Sequence, residues 1–371
     1  MVTTRKVETA ADLDKFVRLP FRLYRDDPNW VAPLTSDQKK TLTPGRNPFW
    51  DHAERDLYLA LRDGKVGGRV AAILDRNYNQ HHGVKVACFG FFESESDPQI
   101  AAALLDTVRI WGRERGMDKI YGPANPSLND EVALLIDAFD SPPMLKMSYN
   151  PAYYVTLIEG CGFTKVKDMY AYAIQVDVPV PEKLQRVMAR LKQKPELTVR
   201  PVDLEHLEQD LTFMKEVYND AWSHNWDHVP MTDAEIADLA KQLKPLVEPE
   251  LCPLVFYKGE IAGMCIALPD YNQVLKKLKG TLFPFGWLTF LTERNRINQA
   301  RLWTLGVKYK FHNLGFDSLL YYEAFMGAKR LGYKWAELSL ILEDNVGIIR
   351  PITMWGGKIY KTYRIYQAPV G

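Results

Sequence analysis

Apolar runs of strand length alternate along this chain with stretches in which apolar residues return every three or four positions. Residues 302–307, LWTLGV, form one such run; residues 308–315 turn polar, and Leu319, Tyr322, Phe325 and Met326 then recur at helical spacing. Gly332 closes that helix as a left-handed cap would, and residues 335–342 return to the alternation of a central strand, with Asn345 just beyond. The same order stands earlier: strand 87–93, helix 98–115 opened by Asp97 and Pro98, strand 119–122. Two hairpins accompany these stretches, 57–73 turning at 63–65 (DGK) and 254–268 turning at 258–260 (KGE). GMDK at 116–119 answers GYKW at 332–335, and Gly162 and Phe163 ahead of Tyr170 answer Gly356 and Gly357 ahead of Tyr363. The chain therefore reads as two copies of one α/β fold, residues 1–178 and 199–371. Each is expected to be a mixed twisted sheet with helices on both faces, joined by a linker at 179–198 that carries an amphipathic helix, 182–191.

Composition narrows the class. The chain has 371 residues, enough for two cores, and with 25% charged residues, 47% hydrophobic residues and a net charge of +1 it is neither a disordered chain nor one built to coat nucleic acid. Cys88, Cys161, Cys252 and Cys265 match no metal spacing and read as buried thiols of a reducing compartment. The first sixteen residues hold no apolar core of signal length and no eighteen apolar residues run together, so a cytoplasmic place is expected. His81 and His82 read as a solvated loop and, like His224 and His228, lack a third ligand, so no metal is expected.

The polar and aromatic segments carry the candidate chemistry, each with a structural alternative. FRLYRDDPNWVAPL (21–34) and NPFW (47–50) read as an ordered aromatic loop whose Trp30, Phe49 and Trp50 cover the first core or form a substrate wall. NPSLNDE (125–131) could hold an amine through Asn125 and Asn129, with Tyr154 from the segment 149–154 and Glu131 as base; alternatively Asn129 and Asp130 cap an apolar helix at 132–139. Trp222 and Trp226, four residues apart, either line an acceptor cleft or pack in the core, ahead of a capping box at Thr232 and Glu235. Asp270 and Asn272 end a central strand, where an acid and an amide suit a site, Asp270 as a second base. Residues 276–296 place Leu282, Phe283, Phe285, Trp287, Leu288, Phe290 and Leu291 between basic flanks; 280–291 is too short to span a bilayer and suits a peripheral membrane contact, a tunnel for a long chain, or a packed insert.

The stretch 302–366 resembles the core of the GNAT superfamily of acyl-CoA-dependent N-acyltransferases, which has a strand, a loop of pattern Gln/Arg-x-x-Gly-x-Gly/Ala, a helix, and a strand ending near an Asn. Here the loop is HNLGFD (312–317), the Asn is Asn345 and the closing pair is Gly356 and Gly357. His312 replaces the usual Gln or Arg, Asp317 the second small residue, and Ile352 falls where many members carry a general-acid Tyr. The resemblance implies an acyl-CoA or acetyl-CoA co-substrate on the second copy only. Its pyrophosphate would lie over His312, Asn313, Leu314, Gly315, Phe316, Asp317 and Ser318 at a helix N-terminus. Its pantetheine would lie beside Leu305, Val307 and Asn345, with the Val307 N–H polarising the thioester. In the first copy the loop 93–97, ESESD, has three acids and no glycine and would repel a pyrophosphate. The implied activity is transfer of an acyl group to a small-molecule or lipid amine, and a peripheral place at the inner face of the membrane would suit a lipid acceptor. A GNAT-fold binding or sensor protein without chemistry, and an aminoacyl transferase of the Fem type, stay open beside it. FRLYRDDPNWVAPL, NDEVALLIDAFDSPP, LSLILEDN and KIYKTYRIY further resemble a bacterial tandem family of this size, to which bacterial ceramide synthase-like proteins are related.

Overall fold

The structure, a computed structural model, describes residues 1–371 apart from His224, Asn225 and Asp227 and the side chain of Lys183. The chain forms two compact units that are not contiguous in sequence: Met1–Met169, Asn272–Glu293 and Lys361–Gly371 make the first, Tyr170–Tyr271 and Arg294–Tyr360 the second.

In the first unit, strands Val2–Lys6, Ala53–Arg62, Lys65–Asp75 and Val86–Ser94 run antiparallel in that order. Lys119–Gly122 then pairs parallel with Val86–Ser94 through Val86, Ala87 and Cys88, as the helix Pro98–Glu114 between them requires. On its other side Lys119–Gly122 pairs antiparallel with residues 366–369. Alternation along Lys65–Asp75 divides the core. Val70, Ala72 and Leu74 face one hydrophobic cluster, with Leu104 and Val108 of Pro98–Glu114, while Ala71 and Ile73 face another, with Phe16 and Val17 of helix Ala10–Leu23. The Asp97 side chain accepts the Gln99 N–H at the start of Pro98–Glu114.

The second unit repeats this order. Leu197–Pro201, Pro253–Tyr257, Glu260–Pro269 and Gln299–Val307 are antiparallel neighbours, and Gln299–Val307 pairs parallel with Trp335–Leu342 across helix Phe316–Arg330. Val217 of helix Leu207–Ala221 packs in one cluster with Leu254 and Met264, while Leu319 and Leu320 pack in another with Val255 and Cys265, so helices cover both faces. Met188, Leu184 and Leu191 of the amphipathic helix Glu182–Lys192 join the second of these clusters. The Thr232 and Glu235 capping box opens helix Asp233–Leu243.

Three local expectations are corrected. Residues 132–139 are not a helix: Glu131–Val132 and Leu134–Leu135 are short strands, and Ala133 between them is left-handed at φ 71°. The Asn150 amide brackets Leu135, accepting its N–H at 2.9 Å and donating to its carbonyl at 3.0 Å, which takes the backbone groups a helix would have used. Asn129 and Asp130 accordingly cap no helix; Ser127 donates to the Asp130 carboxylate at 2.7 Å in a tight turn. His81 and His82 are not loop residues but the last turn of helix Arg76–His82. Among the described residues no helix is long and apolar enough to cross a membrane, and no group of three His, Cys, Asp or Glu is placed to hold a metal ion. His224 lies outside the described residues.

Candidate functional site

The site residues read from the sequence fall into two groups. Asn125, Asn129, Glu131, Tyr154 and Asn272 belong to the first unit, and the others to the second.

In the second unit the parallel strands Gln299–Val307 and Trp335–Leu342 pair only from Gln299 and Trp335 to Leu302 and Leu338, although both continue for four or five residues. A register shift in the neighbouring pair, between Ile266 and Ala267, marks a bulge near Trp303. Beyond it Gln299–Val307 stays with Glu260–Pro269, and the Lys308 N–H donates to Ala262 at 2.9 Å. Successive N–H groups of a strand point to opposite sides, so the Val307 N–H and carbonyl face the side where parallel pairing has ended. His312 sits there, its Nε2 donating to the Val307 carbonyl at 3.0 Å and its ring stacked on Tyr309.

Gly315 follows in the left-handed conformation, φ 80°, and is the N-cap of Phe316–Arg330 without a side-chain cap. The first N–H groups of a fifteen-residue helix, and the positive end of its dipole, thus stand at the loop where a pyrophosphate is expected. Phe316 is buried, whereas His312, Asn313 and Leu314 are exposed and Asp317 and Ser318 half-exposed. Asn345 caps helix Val346–Met354, its side chain accepting the Ile348 N–H at 3.3 Å. Between these two helices and the strands lies a cavity of about 50 Å³ bounded by Ala300, Leu302, Tyr321, Ala324, Ala336, Ile352 and Trp355 among others. Burial pushes the Tyr321 hydroxyl well above its ordinary range, so this lining side chain is neutral.

Ala336 and Leu338 face the cavity, so Glu337 and Ser339 point to the opposite face of the strand. Glu337 is fully buried there, in a cluster the sequence reading missed. The Tyr360 hydroxyl donates to one carboxylate oxygen and Ser339 donates to the other at 2.5 Å; Arg301, also buried, donates to Ser339 at 2.9 Å and lies 3.5 Å from Glu337. Arg301 is paired with Glu337 in the parallel ladder and with Leu268 in the antiparallel one, one residue before the strands part. Buried Asp270 stands two residues beyond Leu268, its N–H bonded to the Gln299 carbonyl at 2.8 Å. Trp222 lies against the same strand: a Cβ on Gly306 would meet its ring at 2.3 Å, and Tyr218 stacks with that ring at a centroid distance of 5.0 Å. Trp226 is half-buried in the segment that follows. The overlooked signal in WAELSLIL was a carboxylate and a hydroxyl at period-two positions of an otherwise apolar central strand.

In the first unit the polar residues are held by their own fold. The Asn125 amide oxygen accepts the Phe91 N–H at 2.5 Å, and Asn272 donates to the Pro143 carbonyl at 2.9 Å. Glu131 is half-exposed in its short strand opposite Asn125. The acids of residues 93–97 are engaged as well: Glu95 pairs with Arg22 at 2.6 Å, Asp97 with Arg62 at 2.6 Å, and Glu93 lies inside the unit. Glu93 accepts hydrogen bonds from Tyr154 at 2.7 Å and Tyr24 at 2.8 Å, with Arg69 at 3.5 Å. Burial raises the Glu93 carboxyl above its ordinary range, Arg69 opposing the rise, and holds both phenols far above theirs.

No family model matches the chain. It is 37% identical over 368 residues to the bacterial ceramide synthase of Caulobacter vibrioides, covering 97% of this chain and 96% of that protein. It is 32% identical over 366 residues to the protein YghO of Escherichia coli, covering 97% and 93%. Among solved structures it is similar to a tandem GNAT protein from the clavulanic acid biosynthesis pathway, with a TM-score of 0.59 at 11% identity over 100% of this chain and 99% of the other. It is also similar to a GCN5-related N-acetyltransferase from Sphaerobacter thermophilus, with a TM-score of 0.56 at 15% identity over 100% and 96%. At these identities the structural likeness carries the fold.

Proposed function

Because the chain belongs to the family of the bacterial ceramide synthase, with the fold of the tandem GNAT proteins, we propose that it moves a long acyl group from coenzyme A to the amino group of a lipid amine. A ceramide is an amide of a fatty acid and a long-chain amino alcohol, so the relative's name supports both halves of that reading. The observation that carries it is the parting of Gln299–Val307 from Trp335–Leu342 after Leu302, which opens a slot with the Val307 N–H on its wall.

In this reading the pyrophosphate takes the first N–H groups of Phe316–Arg330 and the pantetheine enters the slot. The Val307 N–H holds the developing oxyanion, and the acyl chain runs toward the cavity at Ala300, Ala324 and Ala336. The neutral amine attacks the thioester carbon; the C–N bond forms, the C–S bond breaks, and the nitrogen loses one proton. Glu337 accepts that proton while Tyr360 and Ser339 fix its orientation, and the departing thiolate is protonated from solvent. Asp270 and Glu131 are the acids the sequence points to. Glu337 is preferred here because register sets it one residue from the parting point.

The test is release of free thiol from palmitoyl- and acetyl-CoA in the presence of a long-chain amino alcohol. Palmitoyl-CoA should be preferred. Glu337→Gln should lower kcat by roughly 10²–10⁴-fold with little change in KM for the thioester. Thiol release from neither substrate by the wild type, with acyl-CoA still bound, would leave a binding protein instead of an enzyme. A Glu337→Gln variant with wild-type kcat would remove Glu337 from the reaction.

A further inference from the structure

We infer that residues 281–291 are a membrane-seating surface that takes the protein to an anionic lipid bilayer. The inference goes beyond the proposed reaction and does not depend on it. Sixteen large hydrophobic side chains are exposed among the described residues, and five of them, Phe283, Phe285, Trp287, Leu288 and Leu291, fall within nine consecutive positions. Phe283 is 79% exposed and Phe285 73%, values that a packed insert would not leave. Trp287, Leu288 and Leu291 share one face of helix Gly286–Glu293 at spacings of one, three and four, continuing the surface that Phe283 and Phe285 begin. None of Phe283, Phe285 and Trp287 has a ring contact among the described residues.

The base of this segment is built into the first unit. The Gly280 carbonyl accepts the Thr35 N–H at 3.2 Å, and a Cβ on Gly280 would strike the Phe21 ring at 2.5 Å. Asn272 ties the preceding helix Asn272–Leu278 to the Pro143 carbonyl. The projecting residues are therefore carried on an anchored support.

Charge selects the occupant. Lys276, Lys277 and Lys279 precede the apolar stretch, and the single acid between residues 272 and 293 is Glu293, which pairs with Lys277 at 2.6 Å. Lys276 and Lys279 are exposed and without a carboxylate partner among the described residues. Aromatic and leucine side chains beside free lysines, on a short helix that cannot span a bilayer, match the headgroup region of an anionic membrane: rings and aliphatic chains enter the acyl boundary while the ammonium groups meet phosphates.

The full-length chain is sedimented with vesicles of phosphatidylcholine alone and of phosphatidylcholine mixed with phosphatidylglycerol, at low and at physiological salt. The wild type should bind the anionic vesicles. The double variant Phe283→Ser, Phe285→Ser should bind them roughly tenfold or more weakly at either salt. Lys276→Glu, Lys279→Glu should abolish the preference for phosphatidylglycerol, and added salt should weaken that preference wherever both lysines remain. All replaced side chains are exposed, so thermal melting serves as the check that the variants fold. Failure of the wild type to bind either vesicle, or binding unaffected by both double variants, overturns the inference. So does a wild-type dimer in sedimentation that the phenylalanine double variant breaks, since the surface would then be covered by a second copy.

Discussion

Ala300→Val separates a substrate pocket from a packing defect. Ala300 is buried on Gln299–Val307 with its methyl group on the apolar cavity. At roughly 24 cal/mol per Å³, leaving about 50 Å³ empty costs about 1.2 kcal/mol (50 × 24 cal/mol). Valine adds two carbon atoms in a shape that suits a strand, so the substitution should raise stability by up to about 1 kcal/mol, a gain in Tm of about 2–4 °C for a unit of this size. The added carbons occupy space that the proposed function gives to the acyl chain. Two excluded methylenes at about 0.8 kcal/mol each amount to about 1.6 kcal/mol, so kcat/KM for palmitoyl-CoA should fall by about 15-fold while acetyl-CoA is used as before. Scanning calorimetry beside thiol release reads both effects. A raised Tm with an unchanged chain-length preference would make the cavity a mere gap in packing. A lowered Tm with both thioesters equally affected would show that the space is not there to be filled.

Two further outcomes follow from the first unit. Burial pushes the Asp168 carboxyl up, but hydrogen bonds from Arg364 at 2.8 and 3.0 Å, with Lys165 at 2.9 Å, outweigh it and hold its pKa below the usual carboxylate value. The depressed pKa means stability present above the unfolded value of about 3.9 and lost as pH falls through the folded one. Asp168→Asn should therefore destabilise by about 1–3 kcal/mol at neutral pH, with the gap closing below about pH 4 in a pH series of melts; a gap constant into acid would refute the pair's role. Gly90 lies where the backbone of Ala124 crosses its strand, and a Cβ would stand 1.8 Å from the Ala124 carbonyl oxygen. Gly90→Ala should cost about 3 kcal/mol or more in urea unfolding, and a variant as stable as the wild type would show that the two backbones are not so close.

What local pattern dictates was legible in the chain. The strand, loop, helix and strand of each copy follow from period and turn chemistry within a dozen residues. The structure bears these out in Pro98–Glu114 with its Asp97 cap, the capping box at Thr232 and Glu235, and the left-handed Gly315 opening Phe316–Arg330. The likeness of the two copies was legible for the same reason. Where the local signal met a distant partner it failed: residues 132–139 have helical spacing, but the amide of Asn150 claims both backbone groups of Leu135.

Only the tertiary structure decided which polar groups meet. Arg301 and Glu337 are 36 positions apart and are brought together by the register of a parallel pair, and Tyr360 reaches Glu337 from a third element, so no short-range pattern names the cluster. The point at which Gln299–Val307 leaves Trp335–Leu342 is likewise a property of the pair, and the bulge beside it belongs to the pairing of Gln299–Val307 with Glu260–Pro269, which neither strand announces alone. Sequence could mark 281–291 as apolar between basic flanks, but it could not tell a packed insert from a projecting one, because exposure depends on what the rest of the chain fails to cover. Hydrophobic period is written into neighbouring residues, whereas register, parting and exposure are settled between residues far apart along the chain.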